Sequence, residues 1–149
     1  MTRKLFVLNG SNLNMLGQRE PELYGMDTLE DVRRLCERVA GEVGFELFFA
    51  QSNAEHELVE WVHDAFRAGA TVVINPAGLS FNSVPLLDAL KMLVTPVVEV
   101  HLTNIHARDA VHRNSLISSV SRVVIAGAGA YGYELALRAA DRLTPEADD

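Results

Sequence analysis

Five short runs of apolar residues, separated mostly by segments of helical periodicity, constrain the fold of this chain more than any other feature. The runs cover residues 5–8, 45–50, 71–74, 97–100 and 122–126. Mostly apolar runs of this length are typical of strands that are buried in a sheet. We therefore predict five strands at these positions.

The segments between the strands predict helices. In the first, apolar residues recur at helical spacing over 29–43, after Asp27-Thr28 and before Gly44, where helix caps belong. Further helices are predicted from an Asn53 cap to about Gly69, at 83–92 and at 130–143. Strands joined by helical, right-handed crossovers predict an α/β protein with a five-stranded parallel sheet, a flavodoxin-like three-layer sandwich.

Length and composition limit the organisation and the partners. The 149 residues suit one domain, 1–149, with an acidic tail at 144–149 that we expect to fray. A net charge of −7 without a basic block weighs against nucleic acid or an anionic membrane as partner. The single Cys36 excludes an internal disulfide, and no apolar run approaches a membrane span, so we expect a cytoplasmic protein.

Polar side chains cluster in the segments that follow the predicted strands. In an open parallel sheet these segments meet at the carboxyl edge, where ligands bind. The polar residues there are Asn9, Ser11, Asn12, Gln51, Asn53, Asn75, Ser80, Glu99, His101, Thr103, Arg108 and His112. Loops are usually polar, so any one of them alone carries little information. Their convergence on one edge predicts a binding site.

The first loop, between Asn9 and Met26, is longer than the usual connection between a strand and a helix. We expect a structureless lid or binding loop. It carries Arg19 and Tyr24, and a nearby guanidinium stabilises a phenolate that could serve as a general base. The alternative is an ion pair of Arg19 with Glu20 or Glu22 beside a packed tyrosine.

The end of the fourth strand carries Glu99 and His101. Residues i and i+2 of a strand point to the same face, so the carboxylate could orient the imidazole and hold it protonated, as a general acid requires. The alternative is a histidine satisfied by a neighbouring carbonyl.

Two further patterns have competing interpretations. Residues 127–132 match the dinucleotide fingerprint G-x-G-x-x-G, but no strand follows to supply the acidic ribose ligand. We therefore favour a tight turn with close helix packing. His101, His106 and His112 with Glu99 could suggest a metal site, but their spacing matches no metal-binding helix pattern, so no metal is expected.

Several segments together resemble the type II 3-dehydroquinate dehydratase family. The strongest are NGSNLNMLGQREPELYG at 9–25 and EVHLTNIHAR at 99–108; QSNAE at 51–55, INP at 74–76, SV at 83–84 with DAL at 88–90, and 127–133 extend the match. The resemblance implies a flavodoxin-like subunit in a homododecamer, a tetramer of trimers, without metal or cofactor. The implied reaction is anti elimination of water from 3-dehydroquinate, a small carboxylate of the shikimate or quinate pathway.

The resemblance also implies a role for each matching residue. Tyr24 would be the base, assisted by Arg19, and His101 the acid, oriented by Glu99. Asn12 would hold a water at the enolate. The residues expected to bind substrate are Asn75, the backbone amides of Leu102 and Thr103, Arg108 in a charge network beside the lid, and Asp88 of a neighbouring subunit. Type I enzymes use a Schiff-base lysine, and this chain has only Lys4 and Lys91.

The chain departs from the family pattern at four places. Ala77-Gly78 replaces a usual Gly-Ala, Phe81 a histidine, His112 an arginine and Ser11 a proline. Phe81 and His112 would lie in the substrate pocket, where a lost hydrogen-bond partner can cost orders of magnitude in discrimination. The preferred hypothesis is the dehydratase. The rivals are a paralogue acting on another cyclic or polyhydroxylated carboxylate, and a non-enzymatic nucleotide- or FMN-binding module.

Overall fold

The computed structural model describes residues 2–148, which contain one five-stranded sheet in the order β2-β1-β3-β4-β5 with every pair parallel. The strands are β1 (Arg3–Asn9), β2 (Phe45–Gln51), β3 (Thr71–Asn75), β4 (Val97–His101) and β5 (Val123–Ala126). The helices are α1 (Pro21–Tyr24), α2 (Leu29–Val43), α3 (Glu55–Ala68), α4 (Val84–Lys91) and α5 (Tyr131–Leu143). This is the flavodoxin-like strand order, so the predicted fold class is confirmed.

Two hydrophobic cores cover the two faces of the sheet. Alternate residues of β1 belong to different cores, because successive side chains of a strand point in opposite directions: Val7 packs with α2 and α5, whereas Leu8 packs with α3 and α4. Both residues are fully buried. Burial on both faces explains why the inner strands β1, β3 and β4 are mostly apolar, whereas the edge strands β2 and β5 are partly exposed.

The first long helix begins and ends as predicted, whereas the second ends at Gly69 as predicted but begins differently. Thr28 accepts a hydrogen bond from the Asp31 amide, Asp31 reciprocates, and Gly44 ends α2 in the left-handed region at φ 85°. The prediction that Asn53 caps α3 is wrong. Its side-chain oxygen instead accepts from the backbone N–H of Asn12 at 2.8 Å, and α3 begins at Glu55 without a side-chain cap.

The loop after β1 is more ordered than the sequence predicts. Residues Leu13–Met15 form a 3-10 turn and Pro21–Tyr24 form α1, so the expectation of a structureless loop is wrong. Pro21 stands in the first turn of α1, where its fixed φ favours a helix. Buried Leu13 and Leu16 anchor the loop to the core that contains α2 and α5.

The C-terminal segment is attached to the sheet where it leaves α5. The hydroxyl groups of Thr144 and Thr71 lie 2.7 Å apart, and the Arg3 guanidinium donates to the Thr144 carbonyl at 3.1 Å. Fraying of the tail at 144–149, whose last residue lies outside the described range, stays a prediction, as does the single-domain assignment. Within residues 2–148, no helix combines the length and the apolar character that a membrane crossing requires.

Candidate active site

A cleft of about 140 Å³ opens where the loops after β1, β3 and β4 meet. It has room for a few water molecules or one small organic molecule, since a water takes about 30 Å³ in the liquid. The residues that the family resemblance places in the site line it, except Glu99 and Asp88: Asn12, Arg19, Tyr24, Asn75, Phe81, His101, Leu102, Thr103, Arg108 and His112. Of the other polar residues expected at this edge, Asn9, Gln51, Asn53 and Ser80 lie outside the lining. Ser11, Leu13, Ala77, Gly78 and Ile105 complete the wall.

One group of residues at the cleft, here called the strand half, consists of His101, which lines the cleft, and of Glu99 and Ser118, which lie outside its lining. The Nε2 atom of His101 contacts Glu99 Oε2, and Ser118 Oγ donates to the other carboxylate oxygen at 2.7 Å. Glu99 is fully buried and His101 is 4% exposed. The two side chains therefore share one face of β4 as predicted, and the described partner of the imidazole is a carboxylate rather than a carbonyl.

The strand half stabilises a buried negative charge. Burial alone would raise the pKa of Glu99, but hydrogen bonds from His101, Ser118 and Ser115 outweigh it and hold that pKa below its usual value. This carboxylate is the hydrogen-bond partner of His101 Nε2. Nδ1 of His101 has no hydrogen-bond partner among residues 2–148, so this nitrogen is available to a bound molecule.

The other part of the cleft, the loop half, consists of Arg19, Tyr24 and Arg108. The guanidinium carbon of Arg19 lies 4.8 Å from the centroid of the Tyr24 ring, and that of Arg108 lies 5.7 Å from it. Within the described part of the chain, Arg19 forms no ion pair with a glutamate. The Tyr24 ring therefore lies close to two guanidinium cations.

Asn12 and Asn75 approach the cleft from neighbouring strands. Asn12 has a left-handed backbone at φ 68°, which asparagine tolerates better than most residues, and Asn53 holds its amide. Asn75 is 3% exposed; its side-chain amide donates to the Tyr133 hydroxyl at 2.9 Å, and its oxygen accepts from the Ala77 amide at 3.2 Å. Asn75 is therefore held on both sides, whereas only the backbone of Asn12 is held.

Two of the departures from the family pattern contact each other in the cleft wall. The rings of Phe81 and His112 meet edge to face, with centroids 5.3 Å apart and planes at 80°. Asp109 contacts Nδ1 of His112 at 2.5 Å, and this hydrogen bond holds the pKa of Asp109 below its usual value. Arg113 lies outside the cleft lining, and its Nε contacts the Arg108 carbonyl, so it does not take the place of a cation at position 112.

A third departure changes the backbone of the cleft wall. Ala77 has φ 53°, in the left-handed region where a Cβ atom is strained. The glycine that the family usually has here would adopt this conformation freely.

Three remaining predictions concern residues beside the cleft. Asp88 lies on the exposed face of α4, away from the cleft of its own chain, so its role stays a prediction that depends on a neighbouring subunit. The glycine pattern forms a tight turn with φ 94° at Gly127, and a Cβ on Gly132 would lie 3.3 Å from Val100. Close packing is thus the structural use of that pattern. His106 is exposed, and residues 2–148 contain no cluster of three or more metal-binding side chains.

Sequence reasoning did not single out Ser118 or Tyr133. Ser118 lies in the 3-10 turn Leu116–Val120, where no periodicity indicates which side chains face inward. Tyr133 belongs to the glycine-rich segment, but its position on the buried face of α5 depends on where that helix crosses the sheet. An apolar helical face that contains a single hydroxyl group was the only available signal for Tyr133.

Comparisons with known proteins agree with this architecture. The family model described as dehydroquinase class II matches residues 3–141. A relative named 3-dehydroquinate dehydratase 2, from Agrobacterium fabrum, is 51% identical over 89% of this chain and 90% of its own length. A 3-dehydroquinate dehydratase from Brucella canis is 48% identical over 100% of this chain and 95% of its own length. The crystal structure of a type II dehydroquinase from Propionibacterium acnes superposes with a TM-score of 0.91 and 39% sequence identity. The match covers 95% of this chain and 98% of that one.

Proposed function

This chain belongs to the dehydroquinase class II family, and from that membership and the cleft we propose that it is a lyase that removes water from 3-dehydroquinate. The observation that carries the proposal is the presence of two prepared groups in one cleft, a tyrosine between two arginines and a histidine on a buried glutamate. One is suited to remove a proton and the other to donate one.

The loop half supplies the base in the proposed mechanism. Tyr24 as a phenolate takes a proton from the carbon beside the ketone, and the electron pair of that C–H bond forms an enolate. Arg19 and Arg108 favour the phenolate because they lie against its ring. Asn12 holds a water molecule that donates a hydrogen bond to the enolate oxygen.

The strand half supplies the acid. As the enolate returns to a ketone, the C–O bond of the departing hydroxyl breaks in an anti elimination. His101 gives that oxygen its proton through the available Nδ1, so that water leaves and 3-dehydroshikimate remains. Glu99 orients the imidazole through Nε2 and stabilises the imidazolium. Asn75 binds the substrate hydroxyls, and the backbone amides of Leu102 and Thr103 bind its carboxylate.

The direct test follows the absorbance of the conjugated enone after 3-dehydroquinate is added to the purified protein. We expect turnover by the wild type and by Tyr131→Phe, which changes an exposed tyrosine outside the cleft. Tyr24→Phe should abolish it. Absence of turnover in the wild type, or equal rates in the wild type and Tyr24→Phe, would overturn the proposed function.

The contact between Phe81 and His112 favours a second candidate, an enzyme that applies the same Tyr24 and His101 chemistry to a different cyclic or polyhydroxylated carboxylate. An aromatic edge stands where a hydrogen-bonding group is usual for the family. If 3-dehydroquinate is the substrate, Phe81→His should raise kcat/KM for it, because a polar partner for a substrate hydroxyl returns. A fall in kcat/KM would favour the second candidate.

The remaining proposals concern assembly and cellular context. We propose a homododecamer in which Asp88 of one subunit approaches the cleft of another, because Asp88 is exposed and remote from its own cleft. Gel filtration should give a mass near twelve subunits, and elution as a monomer would contradict this assembly. We also propose that the protein acts in the cytoplasm and in the shikimate pathway, with quinate catabolism as the alternative.

A further inference from the structure

A fully buried tyrosine connects the two asparagines that end β1 and β3. Tyr133, on the inner face of α5, is 0% exposed. Its hydroxyl donates to Asn9 Oδ1 at 2.7 Å and accepts from Asn75 Nδ2 at 2.9 Å. A single phenol thus joins two strands and a helix directly behind a residue that lines the cleft.

Backbone groups at both ends fix the direction of this hydrogen-bond chain. Asn9 Nδ2 donates to the Ala50 carbonyl at 2.9 Å, and a carbonyl can only accept. Asn9 therefore turns its oxygen to Tyr133, whose hydroxyl must donate to it and accept from Asn75. At the other end, the Ala77 amide, which can only donate, requires the oxygen of Asn75 at 3.2 Å. Reversing the Asn75 amide would leave two donors facing each other.

The proton needed at the centre of the chain remains in place. Burial raises the pKa of Tyr133 far above its ordinary value. Its hydroxyl therefore keeps its proton at neutral pH and remains a donor. Tyr133 also differs from Tyr24 in its position, since Tyr24 lies partly exposed in the cleft near two guanidinium groups.

We infer that Tyr133 is a positioning residue that fixes the orientation of the Asn75 amide and thereby the donor and acceptor pattern that the cleft offers to substrate hydroxyls. One N–H of Asn75 and the second lone pair of its oxygen remain for a ligand, in a fixed arrangement. The inference rests on the proposed function, in which Asn75 binds those hydroxyls. It predicts an effect on substrate binding rather than on proton transfer.

The kinetic test uses Tyr133→Phe, with Tyr131→Phe on the same helix as the matched control. Tyr133→Phe should raise KM for 3-dehydroquinate about tenfold and change kcat less than about twofold, since binding that is uniform along the reaction affects KM alone. Tyr131→Phe should change neither. A KM unchanged in Tyr133→Phe, or a loss confined to kcat, would overturn the inference.

A double-mutant cycle separates positioning from general structural damage. In an Asn75→Ala background, Tyr133→Phe should no longer change KM, because the residue through which it acts is absent. Asn9→Ala removes the acceptor of the Tyr133 hydroxyl but keeps the phenol ring. It should also raise KM only when Asn75 is present, and it replaces Tyr133→Phe in the cycle if that variant does not fold. Equal increases in KM with and without Asn75 would contradict the inference.

A measurement that needs no turnover keeps this inference distinct from the proposed function. In the wild type, the side-chain amide proton of Asn75 should exchange with solvent deuterium at least tenfold more slowly than that of exposed Asn82, as followed by NMR. Asn75→Ala identifies the signal, and Tyr133→Phe should remove the protection. Rapid exchange in the wild type would overturn the inference, whereas a wild type inactive on 3-dehydroquinate would overturn only the proposed function.

Discussion

The strand half and the loop half meet in one cleft but are held in opposite ways. Glu99 and His101 lie on a central strand, are almost fully buried and are fixed by hydrogen bonds that include Ser118. Tyr24 ends a four-residue helix in a loop, is partly exposed and is held by stacking against Arg19 and Arg108. The proposed acid is thus fixed by the sheet, whereas the proposed base lies on a loop segment.

This difference predicts that substitutions in the strand half lower both activity and the free energy of unfolding. Substitutions in the loop half should lower activity alone. A change in the strand half removes a partner from a buried charge, which is costly in a folded protein. A change in the loop half affects side chains that are only partly buried. Variants in the two halves should therefore lower activity alike but differ in their free energies of unfolding.

The largest effect should come from Tyr24→Phe. We expect kcat to fall about 10³-fold, because the variant has no phenolate to act as base. The free energy of unfolding should stay within about 0.5 kcal/mol of the wild type, as is usual for exposed sites. Steady-state kinetics and urea unfolding measure both quantities. A destabilisation of several kcal/mol would show that the loop half is structural as well.

Glu99→Gln should have the next largest effect and should lower both kcat and the free energy of unfolding. We expect kcat to fall about 10²-fold, because the imidazolium loses its counter-charge, and the free energy of unfolding to fall by about 2 kcal/mol, the scale of a charged hydrogen bond. Glu57→Gln on the exposed face of α3 is the matched control and should be neutral. A fully stable but inactive Glu99→Gln protein would contradict the coupling in the strand half.

The stability that Glu99 provides should depend on pH. Its pKa is lowered in the folded protein, so this stability is complete above the unfolded value of about 4.3 and is lost as pH falls through the lower folded value. The difference in unfolding free energy between wild type and Glu99→Gln should therefore shrink between about pH 5.5 and pH 3. Urea unfolding of both proteins across this pH range measures the difference. A difference that grows towards low pH would contradict a lowered pKa of Glu99 in the folded protein.

Arg19→Gln should have a smaller effect, confined to activity. We expect kcat to fall about tenfold, because Arg108 still lies near the Tyr24 ring and a single cation–π contact is worth about 0.5–2 kcal/mol. Arg33→Gln is the matched control, since Arg33 covers the ring of Phe49 at the same 4.8 Å outside the cleft. If both variants were equally active, Arg19 would have no specific effect on Tyr24.

Much of this architecture could be predicted from local sequence. The inner strands are mostly apolar because both faces of the sheet are covered there, and the i, i+2 spacing of Glu99 and His101 brings them together on one face of β4. The errors have physical causes. Asn53 resembles a helix cap, but the neighbouring loop presents the Asn12 amide to it. The roles of Ser118 and Tyr133 depend on contacts between segments that are distant along the chain.

The assignment of the base to the loop half and of the acid to the strand half can be tested most directly by solvent deuterium exchange into 3-dehydroquinate. With His101→Ala, the proposed mechanism predicts that the proton beside the ketone still exchanges with D2O, because Tyr24 forms the enolate, while elimination is almost completely lost. With Tyr24→Phe, both exchange and elimination should be lost. Exchange that survives in Tyr24→Phe but disappears in His101→Ala would contradict the assignment of the base to the loop half and the acid to the strand half.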